Sequence, residues 1–216
     1  AMNAPPDTTT SADAISRSEL LRLSPRMFDS ALLDRLSRVH PAVPPLLFAP
    51  AIVVLAAVAL RQRSAGEVAG LFASGWVFWT LTEYWIHRGV FHFEPETGLG
   101  ARLHWIVHGV HHDHPNDRLR LVMPPSVSVP LSSAFVVAFV VVLGTTAGLG
   151  FGAGFLAGYL AYDMTHYHLH HGRPSTPVGR RFRELHMRHH FQDDATGFGI
   201  SAPVWDRVFG TATEQR

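Results

Sequence analysis

The chain has 216 residues, of which 16% are charged, and its formal net charge is +1. The charged fraction is well below the roughly 25% that is usual for soluble domains, and the near-neutral balance argues against nucleic acid as a partner. There is no cysteine, which excludes disulfides, thiolate zinc sites, iron–sulfur clusters and cysteine nucleophiles. The 15 histidines stand out instead, and histidine is the commonest metal-binding side chain.

The first 40 residues divide into two parts of different composition. Residues 1–14 consist mainly of Thr, Ser, Pro and Ala, which predicts a disordered lead. Residues 15–40 place leucines among arginines and aspartates at helical spacing, which predicts an amphipathic N-terminal helix. Such a helix either lies on a membrane surface or docks on a domain face, and the sequence leaves both alternatives open. Residues 41–216 are expected to form a single membrane-embedded domain.

Uncharged runs predict the membrane spans. Residues 41–60 and 68–82 carry no charge, and the first run is long enough to cross a hydrocarbon core of about 30 Å. Residues 121–162 are also uncharged, and as one helix they would be about 63 Å long. This run must therefore fold back, most simply at Thr145–Thr146 in the glycine-rich patch 144–154. The predicted fold is an all-α integral membrane protein with four transmembrane helices in two hairpins.

The arginines predict the orientation of these spans. All 18 basic residues are arginines, and 16 of them precede the first span, lie between the second and third, or follow the fourth. Only Arg61 and Arg63 lie in the opposite loops. Because an excess of basic residues marks the cytoplasmic side, both termini and every histidine-rich segment are expected there. These segments would form a cytoplasmic helical metal-binding cap.

Fourteen of the 15 histidines fall into four groups near the ends of the predicted spans. On a helix, positions i, i+3 and i+4 lie within about 100° of arc, so an HxxHH segment presents three imidazoles together. His87 and His92 are five residues apart, so this pair must straddle the site or lie where a helix ends. Ten imidazoles are too many for one metal ion and suit two. The candidate ligands are His87, His92, His108, His111, His112, His166, His170, His186, His189 and His190.

Other polar side chains next to these ligands are candidates for supporting or surface roles. Hydrogen bonds from such neighbours orient metal-binding imidazoles in many sites, although helix capping or hydration would explain the same residues. The candidates for support are Glu83, His104, Asp163 and Tyr167. The helical periodicity is also compatible with His104 as a ligand, because it is four residues before His108. His114, His168 and His171 fit supporting or surface positions, and His40 is expected at the surface.

The type of metal follows from elimination. All-imidazole ligation suits iron, copper, zinc or nickel. The chain lacks the HExxH set of zinc hydrolases and the paired ExxH motifs of carboxylate-bridged di-iron bundles. A polyhistidine di-iron centre that activates O2 remains, and its position at the ends of apolar spans favours a substrate from the membrane. A membrane metal transporter is the alternative from another class, although transporters bind their ions near the bilayer midplane.

Several segments resemble those of the fatty acid hydroxylase superfamily of integral membrane di-iron enzymes, and the resemblance is closest to the fatty acid 2-hydroxylases. The segments are Glu83–His92, Leu103–His112, Arg120–Pro125, Tyr162–His170 and His186–Phe191, with the tail Gly197–Ser201 and Trp205–Asp206. The resemblance implies that the ten histidines hold two iron ions and that no catalytic residue is needed beyond these ligands.

The same resemblance implies an activity. It is O2-dependent hydroxylation of a membrane lipid at C2 of a fatty acyl chain, which is free, ceramide-linked or carried by another lipid. The electrons would come from a separate donor of the cytochrome b5 or ferredoxin type. Zinc is expected to replace iron in some recombinant protein, because imidazoles bind both metals. The alternative within the superfamily is a sterol or carotenoid hydroxylase or desaturase.

Overall fold

A computed structural model describes residues 15–213, and the disordered lead predicted for residues 1–14 lies outside this range. Between residues 15 and 213 the regular structure is helical and contains no strand, which confirms the all-helical prediction for this part of the chain. Two segments, His87–Phe91 and Trp105–Gly109, are π-helical. The α-helices are α1 (Arg17–Leu20), α2 (Ala31–Leu36), α3 (Val43–Leu60), α4 (Ala65–Ile86), α5 (Gly98–His104), α6 (Val110–Asp113), α7 (Pro125–Leu143), α8 (Thr145–His171), α9 (Pro177–Phe191) and α10 (Val204–Val208).

The four long helices α3, α4, α7 and α8 form two antiparallel hairpins. The turn between α7 and α8 is Gly144, whose φ of 79° lies in the left-handed region that favours glycine. The predicted fold-back at Thr145–Thr146 therefore lies directly after the observed turn. Arg63, in the turn between α3 and α4, donates a hydrogen bond to Thr146 Oγ1 at 3.0 Å. Both turns consequently lie at one end of the molecule, and the histidine-rich segments lie at the other.

Close backbone packing joins α4 to α8 at the centre of the molecule. A Cβ added to Gly75 would overlap the carbonyl oxygen of Phe151, and one added to Gly154 would overlap that of Phe72. Small residues of this kind let membrane helices approach closely. Towards the histidine end, Trp79 packs edge-on against Phe155, with ring centroids 5.1 Å apart. The two helices that carry His87 and His166 are thereby fixed relative to each other.

The outer helices α3 and α7 expose wide apolar faces. Both are long and apolar enough to cross a membrane. Val141 and Val142 of α7, for example, remain 77% and 78% exposed. Soluble monomers rarely expose apolar surface on this scale, so these two helices indicate a membrane protein. That all four long helices cross the bilayer, with a cytoplasmic cap, stays a prediction.

The prediction of one amphipathic helix over residues 15–40 is wrong. This stretch forms only the short helices α1 and α2, which begin after the capping residues Ser16 and Ser30. The chain between them contains Pro25, which lacks a backbone N–H and disfavours helix in the residue before it. Several leucines of the stretch remain exposed, namely Leu20, Leu23, Leu32, Leu33 and Leu36.

The N-terminal stretch nevertheless docks on the connector between the two hairpins. Val39 N–H donates to the Leu119 carbonyl at 2.7 Å, and Asp34 Oδ1 pairs with Arg120 at 2.9 Å. Met27 N–H donates to the same carboxylate at 2.8 Å. The side of α2 that carries Asp34 is therefore held by the connector, while the exposed leucines face outward.

Candidate metal centre

The ten candidate ligands converge into two groups of five at the end of the molecule opposite the turns. In each group, one ring nitrogen of every histidine lies within 4.8 Å of the others, and no carboxylate of residues 15–213 belongs to either group. The first group consists of His87, His92, His108, His112 and His189. The second group consists of His111, His166, His170, His186 and His190. The structure thus brings together all ten histidines, while their role as ligands stays a prediction.

Each HxxHH segment contributes to both groups. His186 and His190 belong to the second group, whereas His189 belongs to the first. On an α-helix, position i+4 lies about 40° from position i, and position i+3 lies about 60° away on the other side. The two outer histidines therefore face one group, and the third points to the group beside it. His108, His111 and His112 divide in the same way, with His111 in the second group.

A π-helical segment explains the spacing of His87 and His92. His92 N–H donates to the His87 carbonyl at 3.1 Å, which is the i→i+5 bond of a π-turn. This turn brings residues five apart onto one face, and the two ring centroids are 4.9 Å apart. The separation of about 140° that a regular α-helix would give does not apply here, because the α-helical hydrogen bonding ends at this point.

The ring nitrogens are spaced as ligands of a common ion would be. Nε2 atoms face each other at 3.2 Å in His92 and His108, and at 2.7 Å in His170 and His186. A metal–nitrogen bond of about 2.1 Å places two ligand nitrogens about 3.0 Å apart when the bonds meet at right angles. The Nε2 atoms of His87, His112 and His189 are buried without a hydrogen-bond partner. Because an unpaired buried nitrogen is costly, the donor set fits two bound metal ions.

The surroundings keep these rings in the neutral form that binds metals. Burial lowers the pKa of His108, His111 and His186 well below its usual value, and the neighbouring histidines lower it further. Burial likewise lowers the pKa of His92 and His112 to about 3. A neutral imidazole offers a lone pair to a metal ion, whereas a protonated one offers none.

The segment after α9, residues 196–211, orients two rings of the first group, and we call it the latch. His87 Nδ1 lies 2.7 Å from the Phe198 carbonyl, and His189 Nδ1 lies 2.7 Å from the Thr196 carbonyl. Because a carbonyl only accepts, each Nδ1 carries the proton and each Nε2 lone pair faces the group. The Phe198 ring also packs on His87, His92 and His189, with centroids 5.3–5.8 Å apart.

Asp206 anchors the latch. Its buried carboxylate accepts hydrogen bonds from the backbone N–H groups of Phe198 at 2.8 Å and Gly199 at 2.9 Å. It also accepts one from Thr211 Oγ1 at 2.9 Å. Burial raises the pKa of Asp206, and these three donors oppose the rise. Sequence reasoning gave Asp206 no role, although it lies in the quoted tail motif, which was the available signal.

The four predicted supporting residues contact other partners than the ten rings. Glu83 is buried and accepts hydrogen bonds from both the backbone N–H, at 2.7 Å, and the hydroxyl of Ser201. It therefore anchors the latch to α4 and supports His87 only indirectly. Asp163 is buried against the backbone N–H of Met123.

His104 and Tyr167 lie at the edge of the site. His104 Nε2 is 3.8 Å from the carboxylate of Glu94, and the Tyr167 ring packs on His171 at 4.6 Å. Neither side chain forms a hydrogen bond with a ring of the two groups. No contact therefore supports the prediction that these residues orient a ligand directly.

The remaining histidines stay outside both groups. His40 and His168 are exposed, as predicted. His114 is partly buried, and its Nδ1 lies 2.7 Å from the Leu20 carbonyl, so it helps to hold the N-terminal stretch. Burial lowers the pKa of His171, and the nearby charges of Arg118 and Arg183 lower it further.

Comparisons with known proteins agree on one family. The family model described as fatty acid hydroxylase matches residues 72–211. Dihydroceramide fatty acyl 2-hydroxylase FAH2 of Arabidopsis thaliana is 36% identical over 188 residues, which cover 87% of this chain and 79% of that protein. Fatty acid 2-hydroxylase of Homo sapiens is 34% identical over 215 residues, which cover 88% of this chain and 57% of that protein.

A solved structure shares the fold. It is described as full-length scs7p with only the hydroxylase domain visible. Its TM-score against this chain is 0.81 at 36% sequence identity, and the match covers 84% of this chain and 70% of that one.

Proposed function

The chain belongs to the fatty acid hydroxylase family, and we propose that it hydroxylates C2 of a fatty acyl chain in a membrane lipid, using O2 and two iron ions. As a member of this family it is a hydroxylating enzyme of lipid metabolism. The observation that carries the proposal is the pair of buried five-histidine groups without a carboxylate.

The histidine groups support iron as the cofactor of this reaction. Iron held by them would supply the redox chemistry that cleaves O2 and inserts one of its atoms into a C–H bond. The reaction converts R–H, O2, two electrons and two protons into R–OH and water. The electrons come from a separate donor of the cytochrome b5 or ferredoxin type.

The chain's own residues bind the ions, orient the ligands and exclude water. The latch carbonyls fix the tautomers of His87 and His189. Phe91 stacks on His108 with centroids 5.0 Å apart, and Phe198 packs edge-on against His87 with centroids 5.7 Å apart. An apolar wall of this kind keeps bulk water away from the reacting carbon.

The lipid substrate is supported by the relatives and by the apolar surface. The Arabidopsis relative is named for a dihydroceramide acyl chain and for position 2. The exposed faces of α3 and α7 end at the side of the molecule that carries the histidines. A head group held at the membrane surface would bring C2, which is close to the head group, beside the metal centre. A mid-chain carbon would lie deeper in the bilayer.

The proposal includes a topology. All four long helices cross the bilayer, the histidine end forms the cap, and the cap and both termini face the cytoplasm. Sixteen of the 18 arginines then lie on the cytoplasmic side. α4 and α8 are less apolar than α3 and α7 because they are the inner helices and carry the polar groups that lead to the site.

The test is product formation by purified protein reconstituted with iron, lipid, O2 and a reductant. We expect a hydroxyl at C2 of an acyl chain, located by mass spectrometry of the product. The variants His108→Ala, His170→Ala and His189→Ala should lose metal and turnover. His40→Ala and His168→Ala are matched controls, because both histidines are exposed and outside the groups, and should keep most activity.

Three outcomes would contradict parts of the proposal. Oxygen found on a sterol or carotenoid ring would show that the proposed acyl-chain substrate is wrong, but it would not contradict the redox chemistry. Turnover by a zinc form free of iron would overturn the redox mechanism, because zinc does not change its oxidation state. Metal flux across liposomes without any oxygenated lipid would favour a transporter.

A further inference from the structure

Four arginines form a positive surface where α8 meets α9, and we call it the arginine patch: Arg118, Arg173, Arg180 and Arg183. Three of them, Arg173, Arg180 and Arg183, line an open groove of about 440 Å³. Arg118 belongs to the connector before α7, and it is near enough to His171 for its charge to act on that ring, as the charge of Arg183 does. Arg118, Arg173 and Arg180 are exposed, and Arg183 is half-buried.

No carboxylate of residues 15–213 pairs with the arginine patch. Glu184 also lines the groove, but it pairs with Arg181 at 2.9 Å and with Arg188 at 2.6 Å. Arg180 and Arg183 donate to backbone carbonyls. Among residues 15–213, none of the four patch arginines forms an ion pair with a carboxylate, so an acidic partner would find four available charges.

The arginine patch lies over the second histidine group. Arg183 is near enough to His170 for its charge to act on that ring. α9, which carries two patch arginines, also carries His186 and His190 of the second group. A partner seated on the arginine patch would therefore contact the helix that carries two of these rings.

We propose that the arginine patch docks the acidic face of a small electron-carrier protein, which passes electrons to the second histidine group. This rests on the proposed function, because each hydroxylation consumes two electrons and two protons with one O2. Two one-electron carriers are oxidised for every lipid hydroxylated, and water is the second product. Complementary charge would speed the encounter and set the orientation of the carrier.

The distance of the arginine patch from the hydrocarbon core favours a protein over a lipid head group as its partner. α8 has 27 residues, so it is about 40 Å long. If it begins at the far edge of a hydrocarbon core of about 30 Å, its last residue stands about 10 Å above the near edge. The head-group layer is about 5–7 Å thick, so the arginines reach past it into water.

The experiment reverses the charges of two arginines that form no hydrogen bond or ion pair within residues 15–213. The variant is Arg118→Glu with Arg173→Glu, and the control is Arg61→Glu with Arg102→Glu, which changes the net charge equally on exposed arginines outside the arginine patch. All proteins are placed in nanodiscs of neutral lipid. The Kd of an acidic plant-type ferredoxin and of soluble cytochrome b5 is measured at low salt, independently of turnover.

We expect the patch variant to weaken the binding of at least one carrier by about tenfold, and the control to leave it unchanged. Salt of about 0.5 M should remove the difference, because it shortens the screening length to a few ångströms. Equal Kd values for the patch variant and the control would overturn the docking proposal. So would a patch variant that loses binding only to phosphatidylserine vesicles, which would identify a lipid-facing surface.

Turnover with reduced methyl viologen separates this inference from the proposed function. The patch variant should hydroxylate lipid at the wild-type rate with this small reductant and more slowly with a limiting carrier. A patch variant that is equally impaired with both reductants would place the arginines' effect on the metal centre and overturn docking. Absence of product from the wild type with methyl viologen would instead refute the proposed hydroxylation, whatever the carrier Kd shows.

Discussion

The two histidine groups differ in how their rings are held. In the first group, His87 and His189 are fixed through Nδ1 by carbonyls of the latch. In the second group, the buried Nδ1 atoms of His186 and His190 have no such partner. The first site therefore depends on a loop near the end of the described chain, whereas the second depends on the helices α8 and α9 that carry its residues.

The first prediction uses this difference. Asp206→Ala leaves the Phe198 and Gly199 N–H groups buried without an acceptor, at a cost of about 1–3 kcal/mol each. The latch should loosen and release the metal of the first group only. Elemental analysis should show the metal content falling from about two ions per chain towards one. Asp29→Ala, at an exposed carboxylate, is the control and should keep both ions. Retention of both ions in Asp206→Ala would show that the latch does not hold the first site.

The histidines could be predicted from the sequence, but the latch residues that orient two of them could not. Spacing identified the six histidines of the two HxxHH segments, because each segment places its members within one turn of helix, and it paired His166 with His170, which are four residues apart. The partners of His87 and His189 are backbone carbonyls. Every residue carries one, so no residue type in the sequence could indicate which residues these partners are. Phe198 follows His87 by 111 positions, and only the fold brings the two together.

At the scale of helices, the α4–α8 contact fixes the distance between the histidine segments that they carry. Gly154→Ala would place a methyl group against the Phe72 backbone, which cannot move without displacing α4. We expect this variant to be destabilised by about 1–3 kcal/mol, as overpacked cores are, and its thermal midpoint in detergent to fall.

Gly70→Ala, on α4, is the matched control for the glycine contact, because a Cβ added to Gly70 would meet open space in the described structure. It should be neutral or stabilising by up to about 1 kcal/mol, since alanine favours helix over glycine. If the thermal midpoint of Gly154→Ala equals that of Gly70→Ala, the two helices do not pack as described.

The N-terminal stretch depends on one carboxylate. Asp34 accepts the Met27 N–H and pairs with Arg120 and Arg38, and the Met27 hydrogen bond is the largest reason that the pKa of Asp34 lies far below its usual value. A lowered pKa means that this contribution to stability is present above the ordinary aspartate value of 3.8 and is lost as the pH falls below it.

Hydrogen exchange of residues 27–39 tests this contact. After correction for intrinsic rates, Asp34→Asn should exchange faster than wild type at pH 6. The difference should shrink towards pH 2, because Asp34 is protonated there once the stretch has opened, which favours opening of the wild type. Asp29→Asn is the control and should match wild type at both pH values. Equal protection of Asp34→Asn and wild type at pH 6 would mean that other contacts hold the stretch.

Helix bounds were predictable where charge decided them and not where long-range contacts did. The uncharged runs 41–60 and 121–162 correspond closely to α3 and to α7 with the apolar part of α8, because an apolar run has few alternatives to a long helix. The prediction of one helix over residues 15–40 was wrong because Pro25 interrupts the helix and because the stretch pairs with Arg120, which is distant in the sequence. The division of each HxxHH segment between two groups depends on the neighbouring helices, so spacing alone left it open.

For the molecule as a whole, the absence of cysteine allows a direct test of the proposed topology. Gln62→Cys introduces a single exposed thiol in the α3–α4 turn, and Ser175→Cys introduces one between α8 and α9. If all four long helices cross the bilayer with the histidine end in the cytoplasm, the two thiols lie on opposite sides. A membrane-impermeant maleimide added to intact cells should then label Gln62→Cys and leave Ser175→Cys unlabelled until the cells are lysed. Labelling of Ser175→Cys alone in intact cells would reverse the orientation. If the two variants label alike, whether both react or neither does, the turn and the cap lie on one side and the four-span arrangement is wrong.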